Sequence, residues 1–341
     1  MSTALPIALR PLDHILSDPA TEDLAIQEPG VGWVYRGGGW HRVELPAMSY
    51  QRLHGIATLA ASQTGQKINR RHPILSADLP GDLRLQAVMD PAVPAGTMAL
   101  TFRRADERLD EVEDVTRLFD TSRWNKWGER LARRERAAAV LLERFDAGDL
   151  PGFLRGCVET RQTGLFCGPT GAGKSRMSKL CGTAISLRVR IITIEDAREL
   201  RLRQPNVVRH FYAASGEGVT QTQLAKATLR ERPGIVLLGE MREPEAVFVF
   251  VDEVMAGHPG SLSTAHGRNP PECARRLFNM FKSSPAGRSM SDETVAAMLG
   301  NAIDFIVPVE NDDGVRAIGE VWFAADARRR GETFVDLLRA A

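Results

Sequence analysis

Of the chain's 341 residues only four are cysteine (Cys157, Cys167, Cys181 and Cys273), and no two of them form a CxxC pair. That spacing excludes a zinc module or a dithiol redox motif and predicts small buried thiols in a reducing compartment. Long apolar runs are missing too. The longest, VFVFV (247–251) and IVLL (235–238), are far too short to cross a bilayer. The opening MSTALPIALRPLDHIL lacks a charged start followed by a sustained apolar core, so no signal peptide is expected. Neither sign of charge prevails: Lys and Arg number 44 and Asp and Glu 43, for a formal net charge of +1. Such a balance gives no global basic field, and direct nucleic-acid binding is not expected. No internal repeat or low-complexity tract occurs. What is present is ordinary globular composition, 43% hydrophobic and 26% charged, at a length that suits two domains and a cytoplasmic protein.

The most informative stretch is GPTGAGKS, residues 168–175. It has the spacing of a phosphate-binding loop, in which small residues let successive backbone N–H groups surround the β-phosphate of a nucleotide. Gly168, Pro169, Thr170, Gly171, Ala172 and Gly173 form the cradle. Lys174 is placed to reach the β- and γ-phosphates, and the Ser175 hydroxyl to bind Mg2+. The context fits: TGLFC (163–167) is a short buried strand entering the loop, and KSRMSKLCGTAISL (174–187) a helix whose N-terminal dipole faces the phosphates.

Upstream, residues 1–104 are expected to form a compact α+β domain. Its strands are LAI (24–26), GWVYR (32–36), WHRVEL (40–45), LRLQAVM (83–89) and TMALTFRR (97–104), with a Gly37–Gly39 turn. A helix over 50–65 puts Leu53, Ile56, Leu59 and Ala60 on one face, and Trp33 and Trp40 are expected in the core across the hairpin. Residues 105–150 are charge-dense with helical spacing, a linker whose Arg130, Arg133, Arg134 and Arg136 fit a solvated helix face better than a partner-binding one. From 151 to 341 strands and helices alternate: strands GLFC, VRIITIE (189–195), VVRHFYA (207–213), GIVLLGE (234–240) and GSLSTAH (260–266), with helices over 220–232 and 244–257 between them. This alternation predicts an α/β fold with a mainly parallel sheet and ligands at the strands' C-terminal ends. VFVFV alone has strand composition, but Pro244 before it and Gly257 after it favour a helix.

Three further strand ends carry chemistry. Glu240 ends an apolar strand and could support Mg2+ through water. Glu195 and Asp196 end another, where a carboxylate could orient or deprotonate the attacking water. His266 ends a third, where a donor could sense the γ-phosphate. Singly, each has a bland explanation as a cap, a solvated turn or a structural histidine. Lys, Glu, Glu and His at four strand ends of one sheet point to a hydrolase.

In this order and spacing the motifs resemble those of the secretion-ATPase superfamily of type II and type IV secretion and pilus motors. GPTGAGKS matches the Walker A loop, TIEDARELRL the Asp box, VLLGEMR the Walker B strand and GHPGSLSTAHG the His box. Upstream, LSDPATEDLAIQEPGVGWVYRGGGW and HPILSADLPGDLRLQAVMDPAVPAGTMALTFRR are similar to the N-terminal domain of the type IV secretion traffic ATPase, the family of the eleventh VirB protein. The resemblance implies a RecA-like ATPase domain and a homo-hexameric ring on the cytoplasmic side of the inner membrane. It also implies secretion-channel and coupling proteins as partners, with ATP held between the two domains. Carried over, Lys174 and Ser175 bind phosphate and Mg2+, Glu195 polarises water, Glu240 supports Mg2+ and His266 reads the γ-phosphate. Arg84 in GDLRLQ and Arg103 in LTFRR match arginines that reach the nucleotide, unless they are solvated strand ends. Arg242 is a candidate for phosphate or subunit contact, which a structural salt bridge explains equally well. The chain departs from the family pattern at Glu231 and Gly234 in LRERPG, and in HGRNPP after the His box. The four-cysteine module of the type II branch is missing, so that branch is disfavoured. A nucleotide-dependent scaffold and a DNA-translocating motor are the competing function classes. Intact Lys174, Glu195 and Glu240 speak against the first and balanced charge against the second.

Overall fold

The computed structural model of the chain describes residues 4–105, 111–119, 121–124, 129–213 and 218–341, with side chains throughout these segments except at 118, 123 and 129–137. The first part comprises α1 (Ala4–Leu9), α2 (Asp13–Leu16), β1 (Asp23–Glu28), β2 (Gly30–Arg36), β3 (Gly39–Leu45), α3 (Tyr50–Gln63), β4 (Ile74–Leu79), β5 (Leu83–Met89) and β6 (Met98–Arg104). The strands form one antiparallel sheet in the order β3-β2-β1-β6-β5-β4. One face is covered by the helices. Ser49 caps α3 by accepting from the Arg52 N–H, and the helix buries Leu53, Ile56, Ala57, Ala60 and Ala61 against Leu24, Leu75, Leu85 and Phe102. Leu59 is only half-buried, because Ala57 takes its place toward the sheet.

Helices α4 (Val115–Leu118), α5 (Glu129–Asp146) and α6 (Leu150–Glu159) follow. The basic cluster Arg130, Arg133, Arg134 and Arg136 falls on side chains outside those described. The end of α5 packs inward: Leu141 is buried, Phe145 lies against Phe153 with ring centroids 5.1 Å apart, and Phe145 packs on the core of the second sheet to which Leu141 belongs.

That sheet comprises β7 (Gly164–Cys167), β8 (Ile191–Glu195), β9 (Val207–Phe211), β10 (Ile235–Leu238), β11 (Leu262–Ala265), β12 (Phe305–Asp312), β13 (Val315–Ile318) and β14 (Trp322–Phe323). The helices around it are α7 (Lys174–Gly182), α8 (Gln221–Thr228), α9 (Pro244–Met255), α10 (Pro270–Ser283), α11 (Asp292–Ala302), α12 (Ala324–Arg329) and α13 (Phe334–Arg339). The order is β13-β12-β7-β11-β10-β8-β9, parallel from β12 to β9, with β13 and β14 antiparallel to β12. This is a RecA-like α/β fold with a smaller α+β N-terminal domain. VFVFV lies in α9, where Val247, Val249, Phe250 and Val251 are all buried. The apolar run fills one broad buried face of the helix, which is why its composition imitates a strand.

The two sheets are joined by arginines. Arg190, fully buried, donates from Nη1 to Gln27 and Asn206 (2.8 Å each) and from Nε to the Glu231 carbonyl (3.0 Å), and its guanidinium lies 5.0 Å from the Trp40 ring centroid. Burial pushes its pKa down to about 10. Arg232 covers the Tyr35 ring at 3.5 Å and pairs with Asp23 and with Glu22, the latter at 2.9 Å. Trp33 is in the core as expected. Trp40 is half-exposed and serves the junction instead, edge-on to Tyr35.

Candidate active site

The chain leaves β7 at Cys167 and turns directly into residues 168–175. Gly168, Gly171 and Gly173 have φ of +151°, +80° and +108°, values that side-chain-bearing residues rarely adopt. A Cβ on Gly168 would lie 2.1 Å from the Val309 carbonyl oxygen, so the loop can run this close to β12 only with glycine there. Gly173 is the left-handed N-cap of α7, which starts at Lys174. Ala172 is buried beneath the loop, Pro169 and Thr170 are exposed on it, and Ser175 is half-buried in the first helical turn. The Lys174 ammonium donates to the Gly168 and Pro169 carbonyls, each at 2.9 Å. Burial lowers its pKa, and the nearby Glu240 carboxylate partly opposes that. A buried cation whose hydrogen-bond partners among the described residues are two neutral carbonyls is prepared to donate to phosphate oxygens.

The strands beside β7 bring the acidic groups to the same edge. Glu240, two residues beyond β10, has an oxygen 2.8 Å from Nε2 of His266, just past the end of β11, and accepts from Arg242 Nη2 (3.2 Å). Arg242 reaches Asp196 with its other terminal nitrogen (2.7 Å), so it clamps two carboxylates of this chain together. Glu195 ends β8 and is buried: its Oε1 accepts the Glu199 and Leu200 amides (3.0 and 2.7 Å) and its Oε2 the Thr193 hydroxyl (3.1 Å). Burial raises its pKa against the pull of these hydrogen bonds.

The structure also places residues that the sequence motifs do not mark. Gln221, wholly buried at the start of α8, donates to the Glu240 carbonyl and accepts the Arg242 and Glu243 amides. Glu243 in turn accepts the Gln221 and Thr222 amides (3.0 Å each) at the α8 N-terminus. The loop after Walker B is therefore held by α8, across about twenty residues of chain. Local spacing carries no sign of that, although Thr220 and Gln223 form a recognisable capping box.

Arg84 and Arg103 lie directly opposite each other on β5 and β6. Arg84 Nε is 3.5 Å from Asp78, and Arg103 Nε donates to the buried Asp23 at 2.9 Å. Both keep exposed guanidinium donors, and neither makes a hydrogen bond or ion pair with residues 168–175 among the described residues.

Mg2+ gives up its water reluctantly and is usually held by a hydroxyl or carboxylate plus substrate phosphates rather than by a protein cage. Ser175 at the start of α7 and Glu240 at the facing strand end are a donor set of that kind.

A parallel sheet with a phosphate loop after one strand and a carboxylate, a second carboxylate and a histidine after its neighbours defines a P-loop nucleotide hydrolase. Residues 137–307 match the family model described as type II/IV secretion system protein. The chain is 44% identical over 337 residues to protein VirB11 of Agrobacterium tumefaciens, covering 98% of both chains. It is 33% identical over 324 residues to type IV secretion system protein PtlH of Bordetella pertussis, covering 92% of this chain and 94% of the relative. Among solved structures it is similar to the VirB11 ATPase from the Brucella suis type IV secretion system in complex with sulphate, with a TM-score of 0.88, 28% identity and 96% of each chain covered. The chain belongs to the type II/IV secretion system protein family, in its VirB11 branch, and is an ATP-hydrolysing enzyme.

Proposed function

We propose that the chain is the traffic ATPase of a type IV secretion or conjugative-transfer and pilus-assembly machine. It works as a homo-hexamer at the cytoplasmic face of the inner membrane, against channel and coupling proteins and without direct contact to nucleic acid. The observation that carries this reading is the convergence of Lys174, Glu195, Glu240, Arg242 and His266 on one edge of the parallel sheet, in a chain similar over nearly its full length to VirB11 proteins. No helix among the described residues is long and apolar enough to cross a membrane; membrane association is taken as peripheral in this reading.

In this reading the loop amides of residues 168–175 hold the β-phosphate, and Lys174 moves from the Gly168 and Pro169 carbonyls to the β/γ oxygens. The Ser175 hydroxyl and, through water, Glu240 would hold Mg2+, which would supply neutralisation of phosphate charge. Glu195 takes the proton of the attacking water. Its raised pKa makes it a stronger base than an ordinary glutamate once ionised. As the new oxygen–phosphorus bond forms, the bond to the β–γ bridging oxygen breaks, and ADP and phosphate result. In the same scheme His266 reads the γ-phosphate, a role that its 2.8 Å contact with Glu240 supports. The domain of residues 1–104 supplies Arg84 and Arg103 to the nucleotide, clamping it onto the domain of residues 151–341. The linker of residues 105–150 is the hinge. Arg242 orients Asp196 and Glu240 and is available to a neighbouring subunit.

The direct test is Lys174→Ala in the purified full chain. Removing one such stabiliser costs about 100- to 1,000-fold in rate, and ATP turnover near that of the wild type would overturn the assignment.

A further inference from the structure

The groups assigned to hydrolysis all reach the phosphate loop from one flank, the β11, β10 and β8 side. The other flank is built by the hairpin of β12 and β13. Strand β12 pairs in parallel with β7, and Pro308 is level with Cys167, the last residue before the loop. Whereas β7 turns away there, β12 continues to Asp312, which at about 3.3 Å per residue stands about 13 Å above the sheet edge. It turns back through Asp313 and Gly314, whose φ of +47° and +87° suit a tight two-residue hairpin, and β13 returns with Arg316 opposite Asn311. The hairpin is thus a wall along the loop. Its base touches the loop so closely that the Val309 carbonyl excludes any side chain at Gly168.

Arg316 is on the inner side of that wall. A Cβ placed on Gly173 would lie 3.4 Å from both Cδ and Nε of Arg316 and 3.9 Å from its Cζ. The guanidinium therefore lies against the residue immediately before Lys174. The other arginines assigned to the site have carboxylate partners within the chain: Arg242 has Asp196 and Glu240, Arg103 has Asp23 and Arg84 has Asp78. The Arg316 side chain is exposed, and its guanidinium makes no ion pair or hydrogen bond among the described residues. A cation with all five donors free, set beside a phosphate cradle, lacks only an anion.

We infer that Arg316 is a nucleotide-binding residue that grips the phosphate chain of ATP and ADP from the hairpin side, opposite the hydrolytic groups. This rests on the reading of residues 168–175 as the nucleotide site. A planar guanidinium pairs with two phosphate oxygens at once, which an ammonium cannot do. Because Glu195, Glu240 and His266 lie on the other flank, Arg316 holds the part of the phosphate chain that ATP and ADP share. It sets nucleotide affinity and product retention more than the chemical step.

The test is titration of fluorescent ADP and ATP analogues into the full chain carrying Arg316→Ala or Arg316→Lys, with steady-state turnover and inhibition by inorganic tripolyphosphate measured in parallel. Losing one partly exposed charge-assisted contact weakens binding about tenfold. Expected is a loss of that size for ADP, ATP and tripolyphosphate alike, part of it restored in Arg316→Lys, with KM rising by more than kcat falls. Unchanged affinities overturn the inference. A loss for the nucleotides with tripolyphosphate inhibition unaltered also overturns it, since Arg316 would then contact base or ribose. Lys174→Ala separates the two levels. If it still hydrolyses ATP, the site itself is misassigned; if it is inactive while Arg316→Ala binds normally, only the role of Arg316 fails.

Discussion

At the scale of single residues, the two glutamates differ in how they are held. Glu195 is buried and engaged by two backbone amides and a hydroxyl. Among the described residues, the Glu240 carboxylate is engaged by the His266 and Arg242 side chains alone, with no backbone amide. A residue on a rigid hydrogen-bonded frame suits proton transfer, which needs a fixed geometry. One that can exchange partners suits a hydrated metal shell. Glu195→Gln is therefore expected to bind ATP normally and to lose about 100-fold or more in turnover. Glu240→Gln is expected in addition to shift the Mg2+ dependence of turnover to higher concentration. Turnover of both variants across a Mg2+ titration checks this, and an active Glu195→Gln beside an inactive Glu240→Gln would reverse the roles.

At the scale of elements, the departures at Glu231 and Gly234 become intelligible. Gly234 leads into β10, where a Cβ would meet Val189 Cγ1 at 2.9 Å and the Arg190 carbonyl at 3.1 Å. Glu231 follows α8 and is buried against His210 of β9, with Nε2 and Oε1 2.9 Å apart. Next to it, on α9, Glu253 meets Thr228 at 3.3 Å, and burial pushes its pKa up to about 8. A carboxyl raised from 4.5 to about 8 favours the folded state fully below pH 4.5, and that contribution fades as pH rises toward about 8. Urea unfolding should accordingly show stability declining between pH 5 and pH 8, and Glu253→Gln, which keeps the neutral shape, should flatten that slope. An identical slope in the variant would assign the pH dependence to other groups.

At the scale of the whole molecule, Asp23 is the anion that ties the sheets together, buried in the N-terminal sheet between Arg103 of its own domain and Arg232 of the other. Asp23→Asn leaves two partly exposed guanidinium groups facing a neutral amide and is expected to cost about 1.5–3 kcal/mol, read from the denaturation midpoint. A cost under about 1 kcal/mol would mark the pair as a surface contact. The same geometry bears on the clamp. Arg103 is held by Asp23 through Nε, which leaves its terminal nitrogens free, and Arg84 beside it is largely exposed. Arg84→Ala/Arg103→Ala in the full chain is expected to weaken ATP binding about tenfold or more by removing two charge-assisted contacts. Equal affinity would show that the N-terminal domain takes no part in holding the nucleotide.

The phosphate loop, the strands leading into Glu195, Glu240 and His266, and the β1–β3 hairpins were legible in the sequence because each is a local pattern. Glycine spacing, apolar runs and turn residues act within a few positions of one another. Local reasoning also placed VFVFV correctly, through Pro244 and Gly257. The chain after His266 was not legible in this way, although its β12–β13 hairpin flanks the phosphate loop, because β12 is defined by pairing with β7 some 140 residues earlier. Trp40 could not be told from a core tryptophan, since its partner Arg190 lies on the other domain. Nothing in the spacing of the charge-dense linker marks Leu141 and Phe145, which pack in and against the core of the second sheet. Sequence alone determined that this chain carries a nucleotide cradle and the residue types to hydrolyse what it holds, because that chemistry is written in short contiguous motifs. Only the tertiary structure decided which charges neutralise one another and which stay free. Ion pairs such as Arg242 with Asp196 and Arg232 with Asp23, and the unpaired Arg316, depend on distances across strands that have no counterpart in spacing along the chain.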